Sequence, residues 1–233
     1  METAHEKTIN KNLLLSEAQK LGVDLSDAAA EKMSAYKDFV LEYSKKVNLT
    51  AIVSDKEFIV KHFLDSASVL PLLTINDNTR IIDVGTGAGF PGIVLKLAND
   101  QIDLMLLDSL NKRIKFLVEA IDMLGLSGVE CVHARAEEIL RHRGEFKASF
   151  DYAIARAVTK LPKLTEYCLP FVKEGGEFIA MKGRNYHEEL TGAKNTIRRL
   201  GGEITDVKKI ILPNIGDGEE IVHNLVIIRK IRM

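Results

Sequence analysis

The sequence predicts an α/β fold: a seven-stranded, mostly parallel sheet with helices on both faces, preceded by an N-terminal helical extension. Two observations lead to this prediction. From Arg80 onward, short apolar runs alternate with amphipathic segments, which is typical of strand–helix–strand units. Residues 1–72 instead carry apolar side chains at helical spacing. We therefore expect a helical region over 1–72 and a sheet-containing domain over 73–233.

Two helices are expected in the first region. An apolar stripe at three- and four-residue intervals predicts one helix of about four turns: Met33, Tyr36, Val40, Tyr43 and Val47. Ser54 followed by Glu57 forms a capping-box pattern for the next helix, which Pro71 ends or kinks. The stripe of this second helix is formed by Phe58 or Ile59, Phe63, Ala67 and Leu70.

Seven apolar runs account for the strands of the second region. They are Arg80–Val84, Ile102–Leu107, Val129–His133, Asp151–Ala155, Glu177–Met181, Ile204–Leu212 and Ile221–Arg229. A turn rich in Gly and Asp, Pro213–Glu220, joins the last two, which predicts an antiparallel pair at one edge of the sheet. Ligands of such sheets bind beyond the carboxyl ends of the parallel strands.

A glycine-rich turn follows the first strand and is the most informative segment of the chain. Gly85, Gly87 and Gly89 allow a positive φ and a close approach of the backbone to a ligand. A dinucleotide fingerprint requires glycine at its sixth position, where this chain has Phe90. Pro91 suits the first turn of a following helix. The turn therefore fits NAD poorly, and an ordinary tight turn is the alternative.

Two acidic residues indicate which ligand the turn holds. Asp83 would place a carboxylate at the end of the first strand, where it repels a pyrophosphate and attracts an ammonium group. S-adenosylmethionine carries an ammonium group and no phosphate. Asp108 ends the second strand, 23 residues after Gly85, in the position that accepts hydrogen bonds from ribose hydroxyls.

Composition places limits on the class of protein. A net charge of −1 argues against a general nucleic-acid coat, although a local basic face stays open. Without a long uncharged apolar run or a secretory signal, the sequence predicts a soluble cytoplasmic protein. Cys131 and Cys168 have no metal-ligand spacing, so we expect reduced thiols and no metal site. No sustained heptad pattern demands a partner helix, and a monomer is expected.

Several motifs together resemble the ribosomal RNA small subunit methyltransferase G family (RsmG, also called GidB). The resemblance spans roughly Val47 to Arg229 and implies a Rossmann-like class I methyltransferase. It is carried by Asn48-Leu49-Thr50-Ala51-Ile52, Lys61-His62-Phe63-Leu64-Asp65-Ser66, the segment from Asp83 to Gly92, the segment from Asp108 to Arg113, Arg135-Ala136-Glu137 and Ala155-Arg156-Ala157. For that family, the resemblance implies S-adenosylmethionine-dependent methylation of N7 of a guanine in 16S rRNA, in the loop near the decoding site.

The resemblance also implies roles for individual residues. Gly85 and Phe90 would contact the cofactor, with Gly87 and Gly89 shaping the turn. Ala136 and Glu137 match the family's adenine-contacting pair, although Glu137 is equally suited to complement a helix N-terminus. Arg156 matches an arginine that faces the cofactor pocket.

The acceptor side is less well marked in the sequence. His62 and Asp65 are candidate substrate residues, with a purely structural role as the alternative. Lys182 and Arg184 are candidates for phosphate contacts, with 16S rRNA or the small ribosomal subunit as partner. No catalytic base is required, because N7 of guanine carries a lone pair and no proton. Rival readings are a small-molecule or protein methyltransferase, a nucleotide-dependent oxidoreductase and a non-catalytic RNA-binding relative.

Overall fold

The sheet contains seven strands in the spatial order β3-β2-β1-β4-β5-β7-β6. The structure is a computed structural model that describes residues 4–215 and 220–232. The strands are β1 (Arg80–Val84), β2 (Asp103–Asp108), β3 (Val129–His133), β4 (Phe150–Arg156), β5 (Val172–Lys182), β6 (Gly202–Leu212) and β7 (Ile221–Lys230). The first five run parallel, and β7 pairs antiparallel with both β5 and β6. The predicted mixed sheet is confirmed, and the part of the predicted turn at 216–219 lies outside the described residues.

Helices cover both faces of this sheet. They are α1 (Ala4–Lys20), α2 (Asp27–Ser44), α3 (Asp55–Phe58), α4 (Asp65–Ala67), α5 (Gly92–Ala98), α6 (Asn111–Leu124), α7 (Ala136–His142), α8 (Leu161–Cys168) and α9 (His187–Arg199). A π-helical segment (Ile59–Leu64) joins α3 to α4, and three short 3-10 turns lie at Leu70–Leu72, Gly144–Phe146 and Leu169–Phe171.

The N-terminal helices share a hydrophobic core with one face of the sheet. Tyr36 of α2 and Phe58 of α3 are fully buried in the same cluster as Ile81 of β1 and Ile154 of β4. A second cluster, which includes Ile82 and Phe178, fills the other face under α7, α8 and α9. The helical region therefore packs directly over the strands, while the boundary at residue 72 stays a prediction.

The entry into the second helix differs from the sequence prediction. Ser54 is the N-cap residue as expected, but its side chain makes no capping hydrogen bond. Glu57 instead pairs with Lys61 one turn later, so the predicted capping box is wrong. The helix then widens into the π segment, a feature often found at functional sites.

Two smaller differences concern proline and glycine. Pro91 is the N-cap of α5 rather than a residue of its first turn. Strand β5 begins at Val172, five residues before the predicted Glu177, and Gly175, with a φ of +82°, lies in the irregular stretch between the residues of β5 that pair with Phe150 and Tyr152.

Across the described part of the chain, no helix combines the length and apolar character needed to span a bilayer.

Candidate functional site

Two cavities open at the carboxyl edge of the parallel strands. The smaller, of about 170 Å³, lies beside the glycine turn and is called the turn cavity; its lining includes Gly85, Asp108, Ala136 and Glu137. The larger, of about 600 Å³, is called the cluster cavity because it is lined by a group of polar side chains that includes Asp65, Arg156 and His223. The edge predicted from the sequence thus carries both cavities.

The glycine turn takes the conformation that its glycines predict. Gly85, Gly87 and Gly89 have φ values of +72°, +62° and +79°, which side chains other than glycine rarely adopt. A Cβ atom on Gly89 would lie 2.5 Å from the hydroxyl of Tyr36, while a Cβ on Gly87 would meet nothing within 4 Å. The turn is therefore packed tightly on its inner side and open at Gly87.

Asp83 supports this turn from below. Its Oδ2 accepts hydrogen bonds from the Thr86 hydroxyl (2.7 Å) and the Gly92 amide (2.8 Å). Burial is the main influence on the carboxyl group and raises its pKa to about 6, against the opposing effect of these donors. Its Oδ1 is buried without a hydrogen-bond partner in the described structure. Asp83 thus braces the turn, and a contact with an ammonium group stays a prediction.

Asp108 connects the turn to the second strand. Its Oδ2 accepts from the Gly87 amide (2.9 Å) and from Arg113 (3.2 Å), and its Oδ1 accepts from the Leu110 amide (2.9 Å). The side chain is nearly buried but lines the turn cavity. An acidic acceptor therefore lies where the sequence places the ribose-binding residue.

Gly85, Asp108, Ala136 and Glu137 come together at the turn cavity, but Phe90 does not. The Phe90 ring is only 4% exposed and lies parallel to the His62 ring, with 4.5 Å between centroids. Phe90, Gly87, Gly89 and Asp83 are not among the residues that line either cavity. The aromatic packing beneath the helical region explains the position of this ring.

Arg156 lines the cluster cavity and not the turn cavity, and its predicted position facing the cofactor stays a prediction. Its Nη1 donates to Asp65 Oδ2 and to the Lys61 carbonyl, both at 2.8 Å. Its Nη2 donates to His62 Nδ1 at 3.1 Å. The guanidinium thus ties the end of β4 to the π segment, through the two residues that the sequence marked as substrate candidates.

The contacts of His62 define its proton positions. Arginine only donates, so Nδ1 of His62 must accept, and the ring proton lies on Nε2, which faces Thr50 Oγ1 at 2.9 Å. Burial first, and then the charge of Arg156, lower the His62 pKa to about 3. Both ring nitrogens of His62 therefore have hydrogen-bond partners, which favours a structural role for this residue over a role in substrate binding.

Asp65 is the centre of the cluster. It is 1% exposed, and His223 Nδ1 donates to its Oδ1 while Arg156 holds its Oδ2. Burial alone would raise the Asp65 pKa, but the hydrogen bond from His223 and the charge of Arg156 lower it overall. Asp65 is thus a carboxylate that orients two side chains of the cavity wall.

The two predicted phosphate contacts line the cluster cavity in different ways. Lys182 is 12% exposed, lies 2.6 Å from Glu189 and donates to the Thr159 carbonyl, so an internal acid already neutralises it. Arg184 is exposed and donates to the Glu220 carbonyl at 2.5 Å. Arg184 is therefore the more accessible of the two to a phosphate group.

The segment after β4 lies between the two cavities. Ala157 lines the cluster cavity and Val158 lines the turn cavity. Ala157 has a φ of +55°, and Val158 packs so closely on Gly85 that a Cβ there would lie 2.6 Å from its methyl carbon. Consecutive residues of this segment thus line the two cavities.

The cysteines take no part in the site. Cys168 is buried, and burial raises the pKa of the Cys131 thiol to about 11, so it stays protonated. Within 4–215 and 220–232, no group of three or more His, Cys, Asp and Glu side chains is placed to hold a metal ion.

Among the lining residues that were missed from the sequence are three with ring side chains. His223 and Tyr186 line the cluster cavity, and Tyr167 lines the turn cavity. A local signal existed only for His223, which with Asn224 interrupts the apolar run of β7. The role of His223 in the site depends on its hydrogen bond with Asp65, which lies 158 residues away in the chain.

Comparison with known proteins identifies the family. Residues 29–214 match the family model of rRNA small subunit methyltransferase G. The "Ribosomal RNA small subunit methyltransferase G" of Alkaliphilus metalliredigens is 46% identical over 223 residues, which cover 96% of this chain and 91% of that protein.

Solved structures agree on the fold at much lower identity. An S-adenosylmethionine-dependent O-methyltransferase from Thermotoga maritima superposes with a TM-score of 0.56 at 16% identity, covering 83% of this chain and 72% of that one. TYW2 from M. jannaschii, solved in complex with AdoMet, gives a TM-score of 0.53 at 18% identity, covering 67% and 71%. The fold is thus the Rossmann-like fold of class I methyltransferases, and the chain belongs to the rRNA small subunit methyltransferase G family.

Proposed function

We propose that this protein transfers a methyl group from S-adenosylmethionine to N7 of a guanine in 16S rRNA, in the loop near the decoding site of the small subunit. The observation that carries the proposal is the pair of cavities at one sheet edge, which are lined by the consecutive residues Ala157 and Val158. The family assignment supports the same reaction.

The turn cavity fits the cofactor. Asp108 offers carboxylate oxygens to ribose hydroxyls, while Ala136 and Glu137 flank the space for the adenine. Gly85 forms part of the cavity wall with its backbone, because it has no side chain of its own. The unpartnered Oδ1 of Asp83, just below the turn, adds negative potential that suits a cationic ligand. These acceptors and this negative potential therefore suit a nucleoside that carries an ammonium and a sulfonium group.

S-adenosylmethionine, when bound, supplies a methyl group on a positively charged sulfur. N7 of guanine supplies its own lone pair, so the protein has no proton to remove. This agrees with the site, where both nitrogens of His62 are engaged and its pKa is about 3. Holding acceptor and donor in line can contribute roughly 7–11 kcal/mol to lowering the barrier.

The charged side chains that line the cluster cavity indicate its role in the reaction. Four cationic and two anionic side chains line the cluster cavity, which suits the approach of a polyanion such as RNA: Lys61, Arg156, Lys182, Arg184, Asp65 and Glu189. The cluster cavity is therefore the acceptor side.

The partner of the reaction is 16S rRNA or the small ribosomal subunit. We expect the protein to act in the cytoplasm as a monomer and without a metal ion. Size-exclusion chromatography with light scattering tests the monomer, and full activity in the presence of a chelator tests the absence of a metal requirement.

Mapping of 7-methylguanosine tests the reaction. Chemical cleavage and primer extension of 16S rRNA from cells that lack the protein should reveal an unmodified guanine that the wild-type gene restores. Persistence of the modification in those cells overturns the proposal.

Labelled cofactor then separates the acceptor classes. Purified protein is incubated with bare 16S rRNA, small subunits, cell proteins or a metabolite extract. Label in RNA supports the proposal, label in protein or metabolites supports the rival methyltransferases, and RNA binding without label supports a non-catalytic relative.

A further inference from the structure

His223 is the one imidazole of the cluster cavity that keeps a nitrogen without a partner. It lies on β7, its side chain is 30% exposed, and it lines the cavity. Its Nδ1 faces Asp65 at 2.5 Å. No hydrogen bond to its Nε2 occurs in the described structure, whereas both nitrogens of His62 are bonded.

The bond to Asp65 determines what this free nitrogen can do. Asp65 is held as a carboxylate by Arg156 and His223, and a carboxylate only accepts. Nδ1 of His223 therefore carries a proton, and in the neutral ring Nε2 presents a lone pair. The ring cannot rotate without losing the bond to Asp65, so its Nε2 is a preorganised acceptor in the cavity wall.

Neighbouring side chains complete a surface for a planar base. Tyr186 and Asn185 line the same cavity. The Tyr186 ring packs against the His187 ring with 4.1 Å between centroids and an angle of 31° between the ring planes, and this contact restricts its orientation. Unstacked RNA bases are commonly held on aromatic side chains and recognised at their Watson–Crick edge.

We propose that the cluster cavity binds the acceptor guanine and that His223 selects it by accepting a hydrogen bond from its Watson–Crick edge. That edge carries N1–H and the 2-amino group, whereas adenine presents an unprotonated N1 and no 2-amino group. N7 lies on the other side of the purine, directed toward the turn cavity. The inference rests on the proposed function and adds to it the residue that recognises the base.

Asparagine at position 223 separates recognition from structural support. In His223→Asn, the short amide keeps a donor near the position of Nδ1 for Asp65 but removes Nε2. His142→Asn is the matched control, because His142 is an exposed residue of α7 outside both cavities. Thermal unfolding and cofactor affinity should stay at wild-type values in both variants.

The substrate for the test is a reconstituted small subunit with one changed base. Its 16S rRNA carries guanosine, inosine (which lacks the 2-amino group) or 2-aminopurine riboside (which lacks N1–H and the 6-oxo group) at the acceptor position. The measured quantity is kcat/KM for methyl transfer. On guanosine, we expect His223→Asn to lower it about tenfold, mainly through KM, as for loss of one well-placed hydrogen bond.

The analogues distinguish base recognition from a general loss of activity. Wild-type protein should discriminate about tenfold against at least one analogue, and His223→Asn should lose that discrimination. Equal discrimination by both proteins, or wild-type kcat/KM in the variant, overturns the role of His223. Failure of wild-type protein to methylate the guanosine substrate at all would instead overturn the proposed function.

Discussion

The two cavities differ in how the chain builds them. The turn cavity depends on backbone groups of one turn and on Asp108, which holds the Gly87 and Leu110 amides. The cluster cavity depends on side chains from three segments, α4, β4 and β7, joined through the buried Asp65. A backbone site tolerates side-chain change and fails when its conformation is blocked. A charge cluster fails when one member is removed.

Removal of the Asp65 charge should have the largest effect. Asp65→Asn leaves Arg156 and His223 without their buried acid, and we expect unfolding to become easier by about 3–5 kcal/mol. Urea unfolding measures this. The control is Asp103→Asn, which breaks the half-exposed pair with Arg80 and should cost less than about 1 kcal/mol. Equal losses in the two variants would show that Asp65 is not a central support.

Substituting alanine for single glycines of the turn should distinguish positions with packed neighbours from positions with open space. Gly89→Ala meets Tyr36 and Ile93 at a positive φ, and a loss of about 2–4 kcal/mol is expected. Gly87→Ala has the same backbone constraint but open space, so about 1–2 kcal/mol should be lost. Thermal unfolding midpoints compare them. Similar midpoints would mean that the packing around Gly89 relaxes freely.

Lowering the pH should reduce the free energy of unfolding through protonation of His62. Its pKa is about 3 in the folded protein and about 6.5 when unfolded, so the unfolded chain binds the proton first as pH falls. Stability from the neutral ring is present above pH 6.5 and is lost progressively toward pH 3. Asp83, with a pKa raised to about 6, acts in the opposite direction between about pH 4 and 6.

Comparison with His62→Gln isolates this contribution, because Asp83 is common to both proteins. The difference in free energy of unfolding between wild type and variant should shrink by about 2–3 kcal/mol from pH 6.5 to pH 4.5. A constant difference over this range contradicts the assigned proton positions.

Asp108→Asn should weaken cofactor binding about tenfold, with a smaller effect on the fold. The amide loses the charge that attracts a cationic ligand and the pairing with Arg113. Titration calorimetry with S-adenosylmethionine gives the dissociation constant. Asn is preferable to Ala, because the side chain holds two backbone amides. Wild-type affinity would remove Asp108 from the cofactor site.

The smallest expected effect concerns Arg184, at the rim of the cluster cavity. Arg184→Ala should weaken RNA binding modestly and lower the slope of log affinity against log salt by about 1, as for one lost phosphate contact. Binding to small subunits at several salt concentrations measures it. An unchanged slope would leave Arg184 without a phosphate contact.

The turn cavity could largely be predicted from the sequence, because its signals are local. Gly85 to Gly89 specify a backbone shape, and Asp108 follows at a spacing set by one helix and one strand. The seven strands and the antiparallel edge could be predicted equally well from apolar runs and turn residues, whereas the spatial order of the strands was not predicted.

The cluster cavity could be predicted only in part. His62 and Asp65 were recognised through the family resemblance, but the partner of Asp65 lies on β7, and local patterning says only that β7 is a strand. The prediction of the capping box was wrong for a similar reason. Glu57 is able to pair either with the backbone at Ser54 or with Lys61, and in the structure it pairs with Lys61. Tertiary proximity decided both cases.

The reversed direction of β7 has a consequence for how the protein can diverge. A strand that runs opposite to its neighbours brings its first residues, rather than its last, to the edge where ligands bind. The first residues of β7 therefore contribute to the cluster cavity through His223, whereas no residue of β7 lines the turn cavity. Substitutions at the start of this strand can change the cluster cavity during evolution while the turn cavity is left intact.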